Sequence, residues 1–145
     1  MVTIAAMANA SDFDDSFLQQ TFAACRFHNY LRKSLEVIEP GWVRVRLSYF
    51  EDLDQAMGML HGGVYAALLD TASYYAALST YQPAGKLPLT QEYKINLLAS
   101  VEGEDLIAES RVLKAGKRLA VVETKIRSAS DTLVAVGLTS LVIRS

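Results

Sequence analysis

The chain has 145 residues, 51% of them apolar and 21% charged, with a formal net charge of −2. This size predicts one domain over residues 1–145 with one real core, and the balance excludes a disordered chain, a membrane-spanning chain and a nucleic-acid binder guided by a global basic field. Cys25 is the only cysteine and there are two histidines, which excludes an internal disulfide and a multi-cysteine metal site and argues against any zinc or iron centre.

Residues 1–11 read as a flexible N-terminal segment. No Lys or Arg precedes the apolar stretch from Met1 to Met7, which is too short for a signal-peptide core or a spanning helix. The expectation is a cytoplasmic protein without membrane insertion. Ser11 followed by Asp14 and Asp15 has the form of a helix start, a capping side chain ahead of acids near the positive end of the dipole. Phe13, Phe17, Leu18, Thr21, Ala24 and Cys25 recur at helical spacing, and Arg32 with Lys33 suit the far end, so a first helix is predicted near 12–33. In it Cys25 reads as a buried small hydrophobe and His28 as a surface or capping histidine.

Pro40-Gly41 marks a turn, after which Val43, Val45, Leu47 and Tyr49 alternate with Arg44, Arg46 and Ser48 as in a half-buried strand. Residues 51–60 have no period and read as a loop. From Gly63 to Thr80 the spacing is helical: Val64, Ala67, Leu68, Thr71, Ala72, Tyr75 and Leu78 form one stripe, and Ala66, Asp70, Ser73 and Ala77 lie on an adjacent face. A helix apolar nearly all round should be buried. Pro83, Gly85 and Pro88 end it, and strand-like runs follow near 89–98, 104–114, 118–128 and 132–143. Short turn-like separators favour antiparallel neighbours among them. This order predicts an α+β domain in which an antiparallel sheet wraps around a long central helix.

The chemistry-bearing stretch runs from Gln55 to Ala72. Gly62 and Gly63 sit where a loop enters the buried helix, so free N–H groups and a partial positive charge are approachable by a substrate carbonyl. If that carbonyl belongs to a thioester, the turn is an oxyanion hole, worth on the order of 3 kcal/mol per donor. Asp70 is an acid on an otherwise apolar helix, and its burial needs a reason. A partly solvated helix residue, or one paired with a sheet Lys or Arg, is the plainer explanation; with the glycines counted beside it, a general base or nucleophile is favoured. Gly62 and Asp70 are eight residues apart, about 12 Å along one helix, too far for one thioester carbon to touch both. If both act, they come from different subunits of a two-fold dimer.

Gln55, Gly58, His61-Gly62-Gly63 and Asp70 together resemble the signature of the hotdog-fold acyl-CoA thioesterases of the phenylacetate-pathway (PaaI-like) and 4-hydroxybenzoyl-CoA thioesterase type, whose pattern is Asn-x-x-Gly-x-x-His-Gly-Gly with an acid nine residues after the His. Leu35 to Gly41 resembles the family's first strand and turn, and Ile95 to Leu98, Gly103 to Leu106 and Lys114 to Arg118 its later strands and turns. The resemblance implies a hotdog fold and hydrolysis of an acyl-CoA to a free acid and CoA, with no cofactor because CoA is part of the substrate. It implies a homodimer, with dimers pairing into a tetramer. By the same resemblance Gly62 supplies the oxyanion N–H, His61 orients the loop or the thioester, and Asp70 of the partner chain activates water or attacks the carbonyl. Thr90, on the strand after the helix, matches the hydroxyl that assists the acid. Gln55 stands where the family has Asn, the same amide on a longer stem.

Gly63, Met59 and Ser73 are the candidate substrate contacts near this turn. Met59 suits either an acyl pocket or loop packing. Lys117 and Arg118 read first as a solvated hairpin end and, in a CoA-binding protein, as a phosphate contact. Two rivals share the fold: a hydroxyacyl dehydratase, which wants a His–acid couple, and a non-catalytic acyl-CoA-binding or sensing module, which Asp70 argues against and Gln55 keeps open.

Overall fold

The computed structural model describes residues 14–144. In chain order the elements are α1 (Asp15–Ala24), α2 (Arg26–Tyr30), β1 (Lys33–Glu39), β2 (Trp42–Leu47), α3 (Gly62–Tyr81), β3 (Leu87–Leu97), β4 (Leu106–Ala115), β5 (Leu119–Ser128) and β6 (Leu133–Arg144). The strands form one antiparallel sheet in the order β1-β2-β4-β5-β6-β3. α3 lies across one face and touches every strand. This is the hotdog arrangement that the element order and the family resemblance predicted.

The alternation of side chains explains the packing. Val43, Val45 and Leu47 of β2 and Ala120, Val122 and Ile126 of β5 are buried on one face, with half-buried or exposed residues between them. Leu68, Leu69, Ala72, Tyr75 and Ala76 of α3 meet them in one core. Gly137 of β6 lets α3 come close: a Cβ there would overlap Leu69 Cδ1 and stand 2.6 Å from the Lys94 carbonyl oxygen.

Two features differ from the sequence expectation. The first helix is not continuous to residue 33. Cys25 is half-buried and extended (φ −78, ψ 110), and it divides α1 from α2. The break turns the His28 ring inward, 4.3 Å from Phe22 and 5.6 Å from Tyr75, with Nδ1 bonded to the Phe22 carbonyl at 3.1 Å. His28 is therefore buried, not a surface histidine; enclosing an aromatic stack outweighs helix continuity. Lys33, expected at the helix end, opens β1 instead. Asp14 caps α1, its side chain accepting from the Ser16 N–H; the expected cap Ser11, Phe13 and the segment 1–11 lie outside the described residues.

The second difference concerns β3. It does not pair with β4, its neighbour in sequence, but with β6. The connection 98–105 crosses the end of the sheet, where the Val101 carbonyl accepts from Leu60 N–H and the Val134 carbonyl from Leu98 N–H. β3 is thereby left as an edge strand carrying exposed Leu89, Tyr93 and Leu97.

Candidate active site

The loop before α3 is pinned at both ends. The N–H of His61 donates to the Leu53 carbonyl, and Asp54 forms an isolated bridge with Leu60. Between them Gln55 organises a tight turn. Its N–H donates to the Met59 carbonyl (2.8 Å), its carbonyl accepts from Gly58 N–H (3.0 Å), and its Oε1 accepts from Met57 N–H (2.6 Å). Gly58 has φ +79, a conformation that favours glycine. The Gln55 amide nitrogen is left without a partner among the described residues.

His61 is the N-cap of α3. Its Nδ1 accepts from Gly63 N–H at 2.9 Å, which places the proton of the neutral ring on Nε2. The cap occupies Gly63 N–H and the His61 carbonyl takes Val64 N–H. Gly62 N–H has no acceptor among the described residues. It is a free donor at the positive end of a 20-residue helix. It opens on a cavity of about 400 Å³ lined by Gln55, Met59, Gly62, Tyr65, Leu97 and Ser100. A Cβ at Gly62 would come within 3.1 Å of Leu97 Cδ1, so a side chain there would crowd this wall. His61 and Gly63 do not line this cavity; they line a second one, of about 320 Å³, with Phe27, Tyr30, Phe50, Val64 and Ala67 among others.

Asp70 lies two turns further along α3, about 12 Å from Gly62 by helical rise, and does not line the Gln55–Gly62 cavity. It is half-buried, and its Oδ1 is enclosed with no hydrogen-bond partner among the described residues. Lys33, at the start of β1, sits beside the same turn. Only 7% exposed, it donates from Nζ to Thr71 Oγ1 (2.5 Å) and the Ala67 carbonyl (3.2 Å), with the Phe27 ring centroid 4.7 Å away. Burial pushes its ammonium group down to about 8. The signal available in the sequence is its phase: Lys33 stands two residues before buried Leu35 and shares its face, the inward side of an edge strand.

The remaining candidates are dispersed. Ser73 is fully enclosed, and its hydroxyl donates to the Asp70 carbonyl at 3.0 Å; it sits inside the core, not on a surface a substrate reaches within this chain. Thr90 is exposed on β3 opposite Leu141 and makes no hydrogen bond to Asp70. Lys117 and Arg118 occupy the exposed β4–β5 turn, which Tyr81 ties to the C-terminal end of α3 by a bond to the Gly116 carbonyl (2.7 Å). Within one chain they are at the opposite end of the helix from Gly62.

Residues 57–135 match the family model of the thioesterase superfamily. A Saccharolobus solfataricus protein, provisionally named an esterase, is 32% identical over 115 residues, covering 79% of this chain and 75% of its own. The human acyl-coenzyme A thioesterase 13 is 33% identical over 100 residues, 68% of this chain and 70% of its own. Among solved structures, the PaaI protein from the phenylacetic acid degradation operon of E. coli superimposes with a TM-score of 0.82 at 20% identity, over 88% of this chain and 91% of that one.

Proposed function

Because the chain belongs to the thioesterase superfamily, we propose that it hydrolyses an acyl-CoA thioester to a free acid and CoA, at a site shared between two subunits. The observation that carries this reading is the free N–H of Gly62 at the start of α3, a residue that lines a cavity together with Gln55. The thioester oxygen accepts from this donor, and the helix dipole favours the negative charge that develops on it. Asp70 of the second chain draws a proton from water, whose oxygen bonds to the acyl carbon, or attacks that carbon itself and is then released by water. In both cases the C–S bond breaks, and the CoA sulfur leaves and takes up a proton. The Gln55 amide and His61 Nε2–H orient water and thioester, and Thr90 assists the acid.

The exposed edge of β3 supports the dimer. The outer edge of the strand is unpaired, and Leu89, Tyr93 and Leu97 are exposed along it among polar residues, so it can join a second sheet. Two-fold pairing sets the α3 helices antiparallel and brings Asp70 of one chain toward Gly62 of the other. The C-terminal end of the second α3, with the Lys117–Arg118 turn, then lies beyond Gly62, where it can meet the phosphates of CoA. Pairing of dimers into tetramers, a cytoplasmic location and the absence of a resident cofactor belong to the same proposal. Among the described residues no helix is long and apolar enough to cross a membrane.

A screen over short, long and aromatic acyl-CoAs, with free CoA measured by a thiol reagent, tests the reading. Turnover is expected for at least one class. Asp70→Asn should lower it at least about a hundredfold, the scale of losing a positioned base, with the fold retained by circular dichroism. Binding of acyl-CoA without release of CoA from any class would instead identify a binding module.

A further inference from the structure

We propose that Lys33 is a positioning residue for Asp70, a buried cation clamped to the same turn of α3 that keeps the carboxylate charged and therefore competent as a base or nucleophile. This inference rests on the reading of Asp70 as the catalytic carboxylate. The geometry is specific. The two acceptors that hold Lys33 Nζ, the Ala67 carbonyl and Thr71 Oγ1, belong to the residues three before and one after Asp70. Thr71 Oγ1 itself donates to the Ala67 carbonyl at 2.9 Å, which fixes the clamp. Phe27 covers the ammonium group from the other side and keeps water away from it.

Neither acceptor is charged, and no carboxylate stands within 4 Å of Lys33 among the described residues. An ammonium group this enclosed is expensive unless something compensates it. Asp70 has the converse problem, an enclosed carboxylate oxygen with no hydrogen bond. A cation and an anion held on one turn, partly shielded from water, stabilise each other through space without touching. Burial lowers the proton affinity of Lys33, and the Cys25 thiol and then Asp70 oppose that lowering. Lacking a direct bond to Lys33, the carboxylate is not tied up by the lysine.

The other titratable groups facing this cluster are His28 of α2, the Cys25 thiol between α1 and α2, and Tyr74 of α3. Burial foremost lowers the proton affinity of His28, whose ring is already bonded to the Phe22 carbonyl. Burial pushes the Tyr74 phenol up. Both shifts favour the neutral forms, which leaves Lys33 as the fixed positive charge beside Asp70 near neutral pH.

The test is the acid limb of kcat/KM against pH, using an acyl-CoA whose CoA release is measured directly. Lys33→Met should move that limb upward by about one pH unit or more, because the carboxylate then holds its proton to higher pH. Lys33→Arg should bring it back toward the wild-type position, and Thr71→Val, which removes one of the two groups that hold the cation in place, should move it in the same direction as Lys33→Met but by less. A merely structural lysine would alter melting temperature without moving the limb. An unmoved limb in Lys33→Met, with Asp70→Asn inactive, overturns the role of Lys33 and leaves that of Asp70 standing. A fully active Asp70→Asn overturns both. Should Lys33→Met fail to fold, the Asp70 carboxyl carbon is followed by NMR in the Cys25→Ser protein. A second inflection as Lys33 deprotonates near pH 8 is expected, and its absence overturns the proposal.

Discussion

Enclosing Lys33 lowers its proton affinity from the ordinary lysine value of 10.5 to about 8, which means that its charge opposes folding. Below pH 8 the folded and unfolded chains both carry this proton, and the full penalty applies. Between about 8 and 10.5 the folded chain loses the proton first and the penalty is relieved, so this residue's contribution to stability rises with pH over that window. The shift corresponds to about 3 kcal/mol. Lys33→Met, which keeps the stem and removes the charge, is therefore expected to be more stable than wild type at pH 7, by an advantage that shrinks toward pH 10. Denaturant unfolding at the two pH values checks this. A residue that costs stability while steadying the charge of Asp70 fits a site kept for chemistry and not for packing.

Among the elements, α3 does most to position the site, and its seat on β6 depends on one missing side chain. Gly137 faces Leu69 on the helix and the Lys94 carbonyl on β3, with no room for a methyl group. Gly137→Ala must push α3 outward or open the β3–β6 pairing, at a cost of about 2 kcal/mol or more. The expected result is a melting temperature several degrees lower, with weakened catalysis because Gly62 and Asp70 ride on the displaced helix. A Gly137→Ala protein with unchanged stability would contradict this packing. At the N-terminus of α3 the His61 cap performs two tasks at once: it satisfies Gly63 N–H and leaves Gly62 N–H free. That division lets a helix start both hold together and remain open to a ligand.

For the whole molecule the critical distance is the one along α3. His61 and Gly62 begin the helix and Asp70 lies about 12 Å along it, so the proposed mechanism requires that a thioester bound at Gly62 be served by an acid from a second chain. Homodimers of His61→Ala, if that change disables the turn, and of Asp70→Ala should each be inactive. When the two are unfolded together and allowed to reassociate, each mixed dimer has one site with both lesions and one with neither, and activity should reappear. If each chain completed its own site, mixing would restore nothing. Subunit exchange is verified by mass, and a mixture that stays dead would sink the two-chain mechanism.

The sequence by itself determined the elements whose signals are local. The helical stripe from Val64 to Leu78, the glycines before it and the alternation of Val43, Val45 and Leu47 each depend on residues a few positions apart, and the structure has α3 and β2 where those signals put them. The position of the Gly62-Gly63 turn at the start of the helix was legible for the same reason, whereas the roles of His61 and Asp70 were expectations drawn with the help of a family resemblance. What only the tertiary structure decided depends on distant partners. Cys25 breaks the first helix because Phe22 and Tyr75 enclose His28. β3 pairs with β6 because the crossing segment is anchored by Leu60 and Val134. Lys33 lies beside Asp70 because β1 runs under α3, 34 residues away in sequence from the carbonyl that holds it. Burial and long-range pairing are properties of the folded chain as a whole, and no local window of the sequence encodes them.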